Sequence, residues 1–392
     1  MHDIFSPSEE HQALRDMLRK FSEKEVLEQA IKYDREERFN LDLFRAVGEL
    51  GLLGVTVPEK WGGAGLDAVA ATIVHEELSA ADPGFCLAFL AHSMLFANNL
   101  ALNGNDEQRA KYLPKACSGE LIGGMCMSEP NAGTDVLGMG TSAKEVEGGY
   151  LLNGAKMWIT NGALDDHTLG DIFLVYARLN GDARQALSMF IVEKGDPGFS
   201  LGQRLKDKLG MRASGTAELV FEDCFVPADR LVGERGQATL HMMRNLELER
   251  VTLAAMSLGI ARKSIEVMNT YASDRNAFGK RLRDFGQIQS MISDSYADYM
   301  AGKSYVYNIA NRLSLDSHGN RLDSDGVKLY CGRMAKQVAD RAIQVLGGYG
   351  YVGEYHVERL WRDARLIEIG GGTNEAHQKN MTRDLSRMTS IK

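Results

Sequence analysis

The amino-acid sequence predicts an α+β multidomain protein in which a β domain lies between two helical domains. Two changes of residue pattern support this. Apolar residues recur at helical spacing through residues 1–122 and again after residue 235. Between these regions, residues 123–235 contain short runs of β-branched and aromatic residues separated by Gly, Asn, Asp or Pro. We therefore expect three domains, at 1–122, 123–235 and 236–392.

The first domain begins with a helix signal. Residues 6–9, Ser-Pro-Ser-Glu, predict a capping box with proline at the first helical position. Apolar residues then follow at helical spacing: Leu14, Met17, Leu18 and Phe21. Helical segments continue to about residue 120, with an interruption at 58–65, where glycines and a proline cannot continue a helix.

The second and third domains differ in the length of their elements. Strands are predicted at 150–152, 172–177, 189–192 and 217–221. Long helices are predicted at 240–273, 287–313 and 324–346, and the Gly347-Gly348 pair should end the last of them. Arg275 and Arg281 are expected to flank the start of a helix, where they could meet phosphates or form ordinary surface ion pairs.

Composition and charge exclude several classes of function. The formal net charge is -8 and no basic block of five occurs, so we expect neither nucleic-acid binding nor membrane attraction. No run of 18 apolar residues is present, which predicts no membrane insertion. The amino terminus has no basic-then-apolar leader, so a cytoplasmic location is expected, or the mitochondrial matrix if a presequence has been removed. Five scattered cysteines and nine histidines without ligand spacing predict reduced thiols and no metal site.

Three segments could contact a ligand, and each also has an ordinary structural interpretation. Residues 125–135 form a loop rich in donors and hydroxyls, or simply a strand-to-turn junction. Residues 158–162, Trp-Ile-Thr-Asn-Gly, could place an indole against a flat cofactor, or cover the core. Residues 369–375 bring three glycines before Thr-Asn-Glu, which allows close backbone approach to a ligand or marks an ordinary loop-to-helix junction.

Taken together and in order, these segments resemble the acyl-CoA dehydrogenase family from about residue 5 to 388. The resemblance is carried by Met-Ser-Glu-Pro-Asn-Ala-Gly-Thr-Asp at 127–135, Trp-Ile-Thr-Asn-Gly at 158–162, Arg-Asn-Ala-Phe-Gly-Lys at 275–280 and Leu-Gly-Gly-Tyr-Gly-Tyr at 346–351. Lys115 and the segments 192–195 and 209–212 look most like the branch of the family that acts on isovaleryl-CoA. The resemblance implies an N-terminal helical domain, a middle β-barrel or sandwich and a C-terminal four-helix bundle.

The resemblance also implies the chemistry. In this family a glutamate removes the α proton of an acyl-CoA thioester while the β hydrogen leaves as hydride to flavin N5. The usual glutamate position in the C-terminal loop is Gly371 here, so the resemblance to members that supply the base from a helix assigns it to Glu249. The alternative is that Glu249 and Arg250 belong to a surface charge network. The substrate residues implied are Thr134, Glu247, Arg250, Gly371 and Gly372, with the Gly371 N–H polarising the thioester carbonyl.

The cofactor implied is FAD. The matching positions around its isoalloxazine ring and the neighbouring region are Met125, Met127, Ser128, Gly133, Thr134, Trp158, Ile159, Thr160, Thr373, Asn374 and Glu375. The positions that match contacts to FAD of an adjacent subunit are Arg275, Gln344, Gly347 and Gly348, which implies a homotetramer built as a dimer of dimers. Two departures weaken this transfer: Gly286-Gln287 stands where the family has glutamine directly after Phe285, and Ala-His-Gln-Lys occupies 376–379.

The resemblance thus implies dehydrogenation of a short or branched acyl-CoA, with electrons passed to an electron-transfer flavoprotein. A long-chain or alicyclic acyl group is the main alternative. Acyl-CoA oxidation by O2, flavin-dependent oxygenation and a silent acyl-CoA-binding relative are further alternatives; the relatives that react with O2 tend to be longer or to lack a base, which makes Glu249 an argument against them.

Overall fold

The computed structural model describes residues 3–179, 186–316 and 318–390. The N-terminal region is helical. Its α-helices are α1 Glu9–Phe21, α2 Leu27–Arg35, α3 Leu41–Glu49, α4 Ala68–Ala81, α5 Pro83–Leu90, α6 Asn99–Asn103 and α7 Asp106–Ser118. Wider π-helical turns, Ser22–Val26 and Ala91–Asn98, join α1 to α2 and α5 to α6. Short 3-10 turns, Leu52–Gly54 and Glu59–Trp61, occupy the interruption after α3.

The first helix begins two residues later than the capping box predicted. Ser8 is the N-cap, and its hydroxyl accepts a hydrogen bond from the backbone N–H of His11 at 3.2 Å. The hydroxyl of Ser6 instead accepts from Nε of the buried Arg15 at 3.2 Å. Ser6 thus bonds a side chain of α1 rather than a backbone N–H, and Ser8 takes the capping role.

The middle region is a mixed β-sheet. Its strands are β1 Gly123–Cys126, β2 Ser142–Val146, β3 Gly149–Thr160, β4 Ile172–Leu179, β5 Leu187–Glu193, β6 Phe199–Arg204, β7 Thr216–Pro227 and β8 Leu231–Val232. They pair in the order β6-β7-β3-β2-β4-β5-β8, with β1 parallel to β4. The four predicted strands are confirmed. In the described part of the chain the sheet stays open between β6 and β8, so of the two expected forms, a barrel or a sandwich, the closed barrel is not formed.

The C-terminal region is a helical bundle. Its elements are α8 Ala238–Asp274, β9 Asn276–Ala277, β10 Lys280–Arg281, α9 Gly286–Ala310, α10 Arg321–Leu346, α11 Gly348–Tyr351, α12 Val357–Ile367 and α13 Asn374–Leu385. Helices α8, α9, α10 and α12 pack against one another and α13 packs on α10, which confirms the predicted bundle. Arg275 directly precedes β9 and Arg281 is the last residue of β10, so neither is at a helix start, because α9 begins only at Gly286.

Helix α4 joins the N-terminal helices to the bundle. All of its residues are buried, and it packs along α8. A helix that is buried on every side lies inside the core, and the carboxylates that it carries there require charged partners. The segment Pro83–Asn103 is similar: its length and its mean hydropathy of 1.6 would suit a membrane span, but 78% of its apolar window is buried inside the protein. That burial is typical of a core helix.

A buried ion network fixes α1, α4, α8 and α9 to one another. Glu76 accepts from Arg15 Nη1 at 2.9 Å and lies 3.3 Å from Lys303 Nζ. Glu77 pairs with Arg15 at 2.8 Å and with Arg262 at 2.6 Å. Burial raises the pKa of Glu76, but the charges of Lys303, Arg15 and Arg262 outweigh burial and hold it well below its ordinary value. The Glu76 carboxylate is therefore ionised and paired.

Candidate active site

A large cleft runs between the β-sheet, the bundle and the N-terminal helices. Its volume is about 1570 Å³, which exceeds the roughly 300 to 1,000 Å³ of a pocket for one small ligand. The wall contains most of the predicted site residues: Met125, Met127, Ser128, Gly133, Thr134, Trp158, Ile159, Thr160, Glu247, Glu249, Arg250, Gly371, Gly372 and Thr373. Tertiary structure thus brings together positions that are up to 248 residues apart, from Met125 to Thr373.

The loop after β1 is held against the sheet by a buried ion pair. Lys156 on β3 is fully buried, and its ammonium group donates to Glu129 Oε1 at 2.9 Å and to the Met127 carbonyl at 3.1 Å. Glu129 also accepts from the backbone N–H groups of Gly140 and Thr141. These bonds fix the loop, so the neighbouring backbone and hydroxyl groups of the cleft wall are preorganised.

The end of β3 places an indole on the cleft wall. The pairing of β3 with β7 shifts register between Lys156 and Ile159, and Trp158 there adopts a left-handed backbone with φ 61°. Its residue surface is 55% exposed, so the ring does not cover the core. Bulges with strained residues often redirect a side chain at a functional site. Asn161 locks this turn by donating from Nδ2 to the carbonyls of Ala88 and Gly123.

Glu249 lies on α8 at the centre of the cleft wall. The residue is only 5% exposed, and its Oε2 has no hydrogen-bond partner among the described residues. Burial raises the pKa of this carboxyl from 4.5 to about 7, although the charges of Arg250 and Lys328 oppose the shift. A carboxylate with a free oxygen and a pKa near neutrality is suited to accept a proton. The alternative placing of Glu249 in a surface charge network is therefore wrong.

The glycine loop before α13 faces Glu249 directly. A Cβ added at Gly371 would lie 3.5 Å from Glu249 Oε1 and 2.2 Å from Leu253 Cδ1. Gly371 and Gly372 have φ +63° and +96°, which disfavour other residues. The loop around Gly371 and residue Glu249 of α8 therefore lie next to each other in the cleft wall. The room that glycine leaves is partly filled by Leu253, which the sequence did not reveal.

A second polar group lies behind the glycine loop. Lys328 on α10 is fully buried and its ammonium group donates to the Gly372 carbonyl. Asp325, one turn earlier, is paired with Arg250 Nη1 at 3.0 Å and with His377 Nδ1 at 2.6 Å. All four residues, Arg250 included, are at most 9% exposed. Burying a charge costs free energy unless the charge is paired. Clusters of buried ionisable groups are often found at functional sites, so these residues beside the cleft indicate such a site.

The substrate residues predicted on α8 are already engaged. The carboxylate of Glu247 accepts from the backbone N–H groups of Gly319 and Asn320 at 3.0 and 2.9 Å. It therefore holds the loop before α10 while lining the cleft. Arg250 also lines the cleft and is paired with Asp325, with Nε unpartnered among the described residues. Contacts of either residue to CoA remain predictions.

The remaining predicted cofactor residues lie at or outside the cleft margin. The Thr373 hydroxyl caps α13 by accepting from the Ala376 N–H at 3.1 Å. Asn374 is buried and donates from Nδ2 to Glu368, while Glu375 is exposed; neither lines the cleft. Exposed positions on the outer side of the bundle are Arg275, Gln344, Gly347 and Gly348. Arg275 there borders a shallow depression of about 640 Å³ with three tyrosines: Tyr271, Tyr349 and Tyr355.

Sequence reasoning missed the buried charges that support the site. Alternation along β3 puts Lys156 on the same buried face as Leu152, which was a usable signal. Asp325 and Lys328 recur at helical spacing with the buried Gly332 and Ala335, so charges stood at core positions of α10. Their partners on other elements could not be read from the sequence.

The five cysteines are buried and form no disulfide. Within residues 3–179, 186–316 and 318–390, no group of three or more His, Cys, Asp or Glu side chains is arranged to hold a metal ion. The buried His75 and His92 make local backbone contacts, to the carbonyls of Ala71 and Ala116. These two histidines therefore serve packing, whereas the buried His377 is paired with Asp325.

Comparison with known proteins identifies the family. The profiles for the N-terminal, middle and C-terminal domains of acyl-CoA dehydrogenase match residues 8–120, 124–224 and 239–386. Isovaleryl-CoA dehydrogenase from Solanum tuberosum mitochondria is 42% identical over 374 residues, covering 95% of this chain and 89% of that protein. The cleft and its carboxylate thus belong to a flavoprotein oxidoreductase fold.

Solved structures of similar proteins superpose on this chain over nearly its whole length. Butyryl-CoA dehydrogenase from Megasphaera elsdenii superposes with a TM-score of 0.91 at 32% identity, covering 99% of each chain. A chain from a structure titled as the electron transferring flavoprotein of Acidaminococcus fermentans gives 0.90 at 32% identity, covering 97% of this chain and 99% of that one. The chain belongs to the acyl-CoA dehydrogenase family, whose members are FAD-dependent oxidoreductases acting on CH–CH bonds.

Proposed function

We propose that this protein uses FAD to dehydrogenate a short or branched-chain acyl-CoA, of the isovaleryl-CoA type, to the 2-enoyl-CoA. The observation that carries the proposal is that the Glu249 carboxyl lies directly opposite the Gly371 loop in the cleft. A buried carboxyl with an unpartnered oxygen and a pKa of about 7 faces a glycine backbone where a thioester could lie. The 42% identity to an isovaleryl-CoA dehydrogenase supports the same substrate type.

The residues of the cleft supply distinct parts of the reaction. Glu249 accepts the α proton, and desolvation keeps its proton affinity high. The Gly371 N–H donates to the thioester carbonyl and stabilises the charge that develops on its oxygen. Leu87, Ala91 and Leu95 line the same cleft with apolar surface suited to an acyl tail. Thr134, Glu247, Arg250 and Gly372 complete the proposed substrate contacts.

The cleft also fits the proposed cofactor. Its donor-rich wall of Met125, Met127, Ser128, Gly133, Thr134, Ile159 and Thr160 is fixed by the Lys156–Glu129 pair, and the exposed Trp158 ring stands beside it. The volume is greater than one small ligand needs, which suits a cofactor and a substrate together. When bound, the flavin supplies the acceptor for the β hydride at N5.

The proposal extends to partners and assembly. Reduced enzyme passes its electrons to an electron-transfer flavoprotein, and the likeness to the Acidaminococcus structure supports this acceptor. Arg275, Gln344, Gly347 and Gly348 contact FAD of an adjacent subunit in a homotetramer. Their exposure outside the cleft, and the 96% exposure of Phe278 at the tip of the β9–β10 hairpin, support a partner surface there. Light scattering of the purified protein tests the assembly.

Anaerobic mixing with a panel of acyl-CoAs tests the activity. The panel should contain isovaleryl-CoA, a straight short-chain, a long-chain and an alicyclic thioester, with flavin absorbance as the readout. We expect bleaching to be fastest with the branched short-chain thioester. Fastest bleaching with another member would correct the acyl group, and no bleaching with any member would contradict the proposal. Slow reoxidation in air and fast reoxidation by electron-transfer flavoprotein are expected.

A further inference from the structure

Four buried polar side chains form a cluster directly behind the glycine loop: Arg250, Asp325, Lys328 and His377. They come from α8, α10 and α13, so the cluster joins the helix of the base to α10 and to the helix that follows the loop. Three of these residues, Asp325, Lys328 and His377, have no part in the catalytic or binding roles proposed above. Buried ionisable groups next to an active cleft call for a functional explanation.

We propose that Lys328 is a positioning residue for the base: its ammonium group, bonded to the Gly372 carbonyl, holds the glycine loop opposite Glu249, and its positive charge favours the carboxylate form of Glu249. The inference rests on the proposed function, because it assigns Lys328 a role in the step that Glu249 performs. Lys328 itself touches neither substrate nor cofactor in this account. It acts through a hydrogen bond and through its charge.

The hydrogen bond fixes a loop that would otherwise be easily deformed. Gly371 and Gly372 both adopt positive φ and have no side chains to anchor them. Lys328 Nζ donates to the Gly372 carbonyl, while the next residue, Thr373, caps α13. The Gly371 N–H, which is proposed to polarise the thioester, is therefore followed directly by residues that hydrogen bonds hold in place. Catalytic hydrogen bonds depend on such preorganisation, since small displacements weaken them strongly.

The charge of Lys328 is available to Glu249 because it is not consumed locally. Arg250 is paired with Asp325, and His377 also donates to Asp325 through Nδ1. Burial and the charge of Lys328 lower the pKa of His377, which disfavours a charged ring, although its bond to Asp325 opposes this. The hydrogen bond of Lys328 instead ends on a neutral carbonyl. Among the residues that the structure describes, no carboxylate contacts the Lys328 ammonium group directly.

The groups around Glu249 and Lys328 come from every element packed on them. Arg250 and Lys328 lower the pKa of Glu249 against the effect of burial. Burial lowers the pKa of Lys328 to about 7; Glu249, Asp325 and Glu368 oppose this and Arg250 adds to it. Tyr176 on β4 also interacts with Glu249. Glu249 and Lys328 thus each favour the charged form of the other.

Three substitutions separate the two roles. Lys328→Met removes both charge and donor, Lys328→Gln removes the charge but keeps a donor for the Gly372 carbonyl, and Lys328→Arg keeps the charge. Lys336→Met, a partly exposed position on the same helix, is the matched control. Flavin absorbance and thermal unfolding show whether each variant is folded and loaded. If Lys328→Met does not fold, Lys328→Gln carries the charge test.

The decisive measurement is a pH titration of the Glu249 carboxyl by difference infrared spectroscopy, with its band assigned by its loss in Glu249→Gln. We expect the pKa of Glu249 to rise by about one unit in Lys328→Met and Lys328→Gln, and to stay near the wild-type value in Lys328→Arg and Lys336→Met. The acidic limb of substrate-dependent flavin reduction should move with it. At pH values above both limbs, Lys328→Met should still reduce flavin more slowly than Lys328→Gln.

An unchanged Glu249 titration in both uncharged variants would overturn the inference. So would equal loss of activity in Lys328→Arg and Lys328→Met with no movement of either pH limb, which is the result of a purely structural role. Wild-type enzyme that no acyl-CoA reduces would instead contradict the proposed function, and the infrared titration would still decide the role of Lys328. The two failures are therefore distinguishable.

Discussion

Glu249→Gln should inactivate the enzyme and at the same time stabilise the fold at alkaline pH. Gln has nearly the same shape but neither accepts the α proton nor carries a charge. Removing a general base reduces rate by about 10²- to 10⁴-fold. In wild-type enzyme, a pKa of about 7 places the acidic limb of kcat/KM at that pH. One pH unit below the limb, roughly a tenth of the activity remains, because only about a tenth of the base is ionised.

The stability effect follows from the same shift. The folded-state pKa of Glu249 is about 7 against an ordinary 4.5. The contribution of the protonated Glu249 carboxyl to folding stability is therefore fully present below pH 4.5. It is lost as the pH rises through 7. The difference corresponds to about 3 kcal/mol at about 1.4 kcal/mol per unit. Gln cannot ionise, so the free energy of unfolding of Glu249→Gln should be up to about 3 kcal/mol higher than that of wild type at pH 8. The two values should be nearly equal near pH 4.5.

Two assays test this reasoning. Anaerobic flavin reduction measures the base, and urea unfolding at pH 8 and pH 4.5 measures the cost of its ionisation. Glu266→Gln on the same helix is the control, since that side chain is 50% exposed and lies away from the cleft. Retained reduction in Glu249→Gln would remove Glu249 from the mechanism. A variant that is less stable than wild type at pH 8 would refute the account of a desolvated carboxylate.

Three further perturbations test the surroundings of the site. Lys156→Met leaves Glu129 buried and unpaired, so we expect weaker flavin retention and a loss of roughly 3 to 5 kcal/mol in urea unfolding. Glu76→Gln breaks the interhelical ion network, and we expect a similar loss of unfolding free energy at pH 7. The pKa of Glu76 is lowered in the folded state, so its contribution to stability is present above pH 4.5 and is lost as the pH falls further. The difference in stability between wild type and variant should therefore shrink in acid. Leu253→Ala opens the space opposite Gly371, at a cost of about 2 to 5 kcal/mol, and should raise relative kcat/KM for bulkier acyl-CoAs in the substrate panel.

The sequence by itself determined the order of the three regions, and most of the site residues that it suggested line the cleft. Helical spacing and strand signals are local properties, so α8, β4 and the loop around Gly371 were predictable along the chain. Linked motifs then assigned Glu249 because the loop position that usually carries the base is glycine. The exact start of α1 was not local, because Arg15 engages the Ser6 hydroxyl from another turn.

Tertiary structure alone decided how the base is tuned. The proton affinity of Glu249 depends on desolvation by elements distant in the chain and on the charge of Lys328, 79 residues away. The distance from Glu249 to the Gly371 position, and the partial filling of that space by Leu253, depend on how α8 packs against the loop before α13. Burial and through-space charge are set only when the domains meet, and no local pattern of residues encodes them.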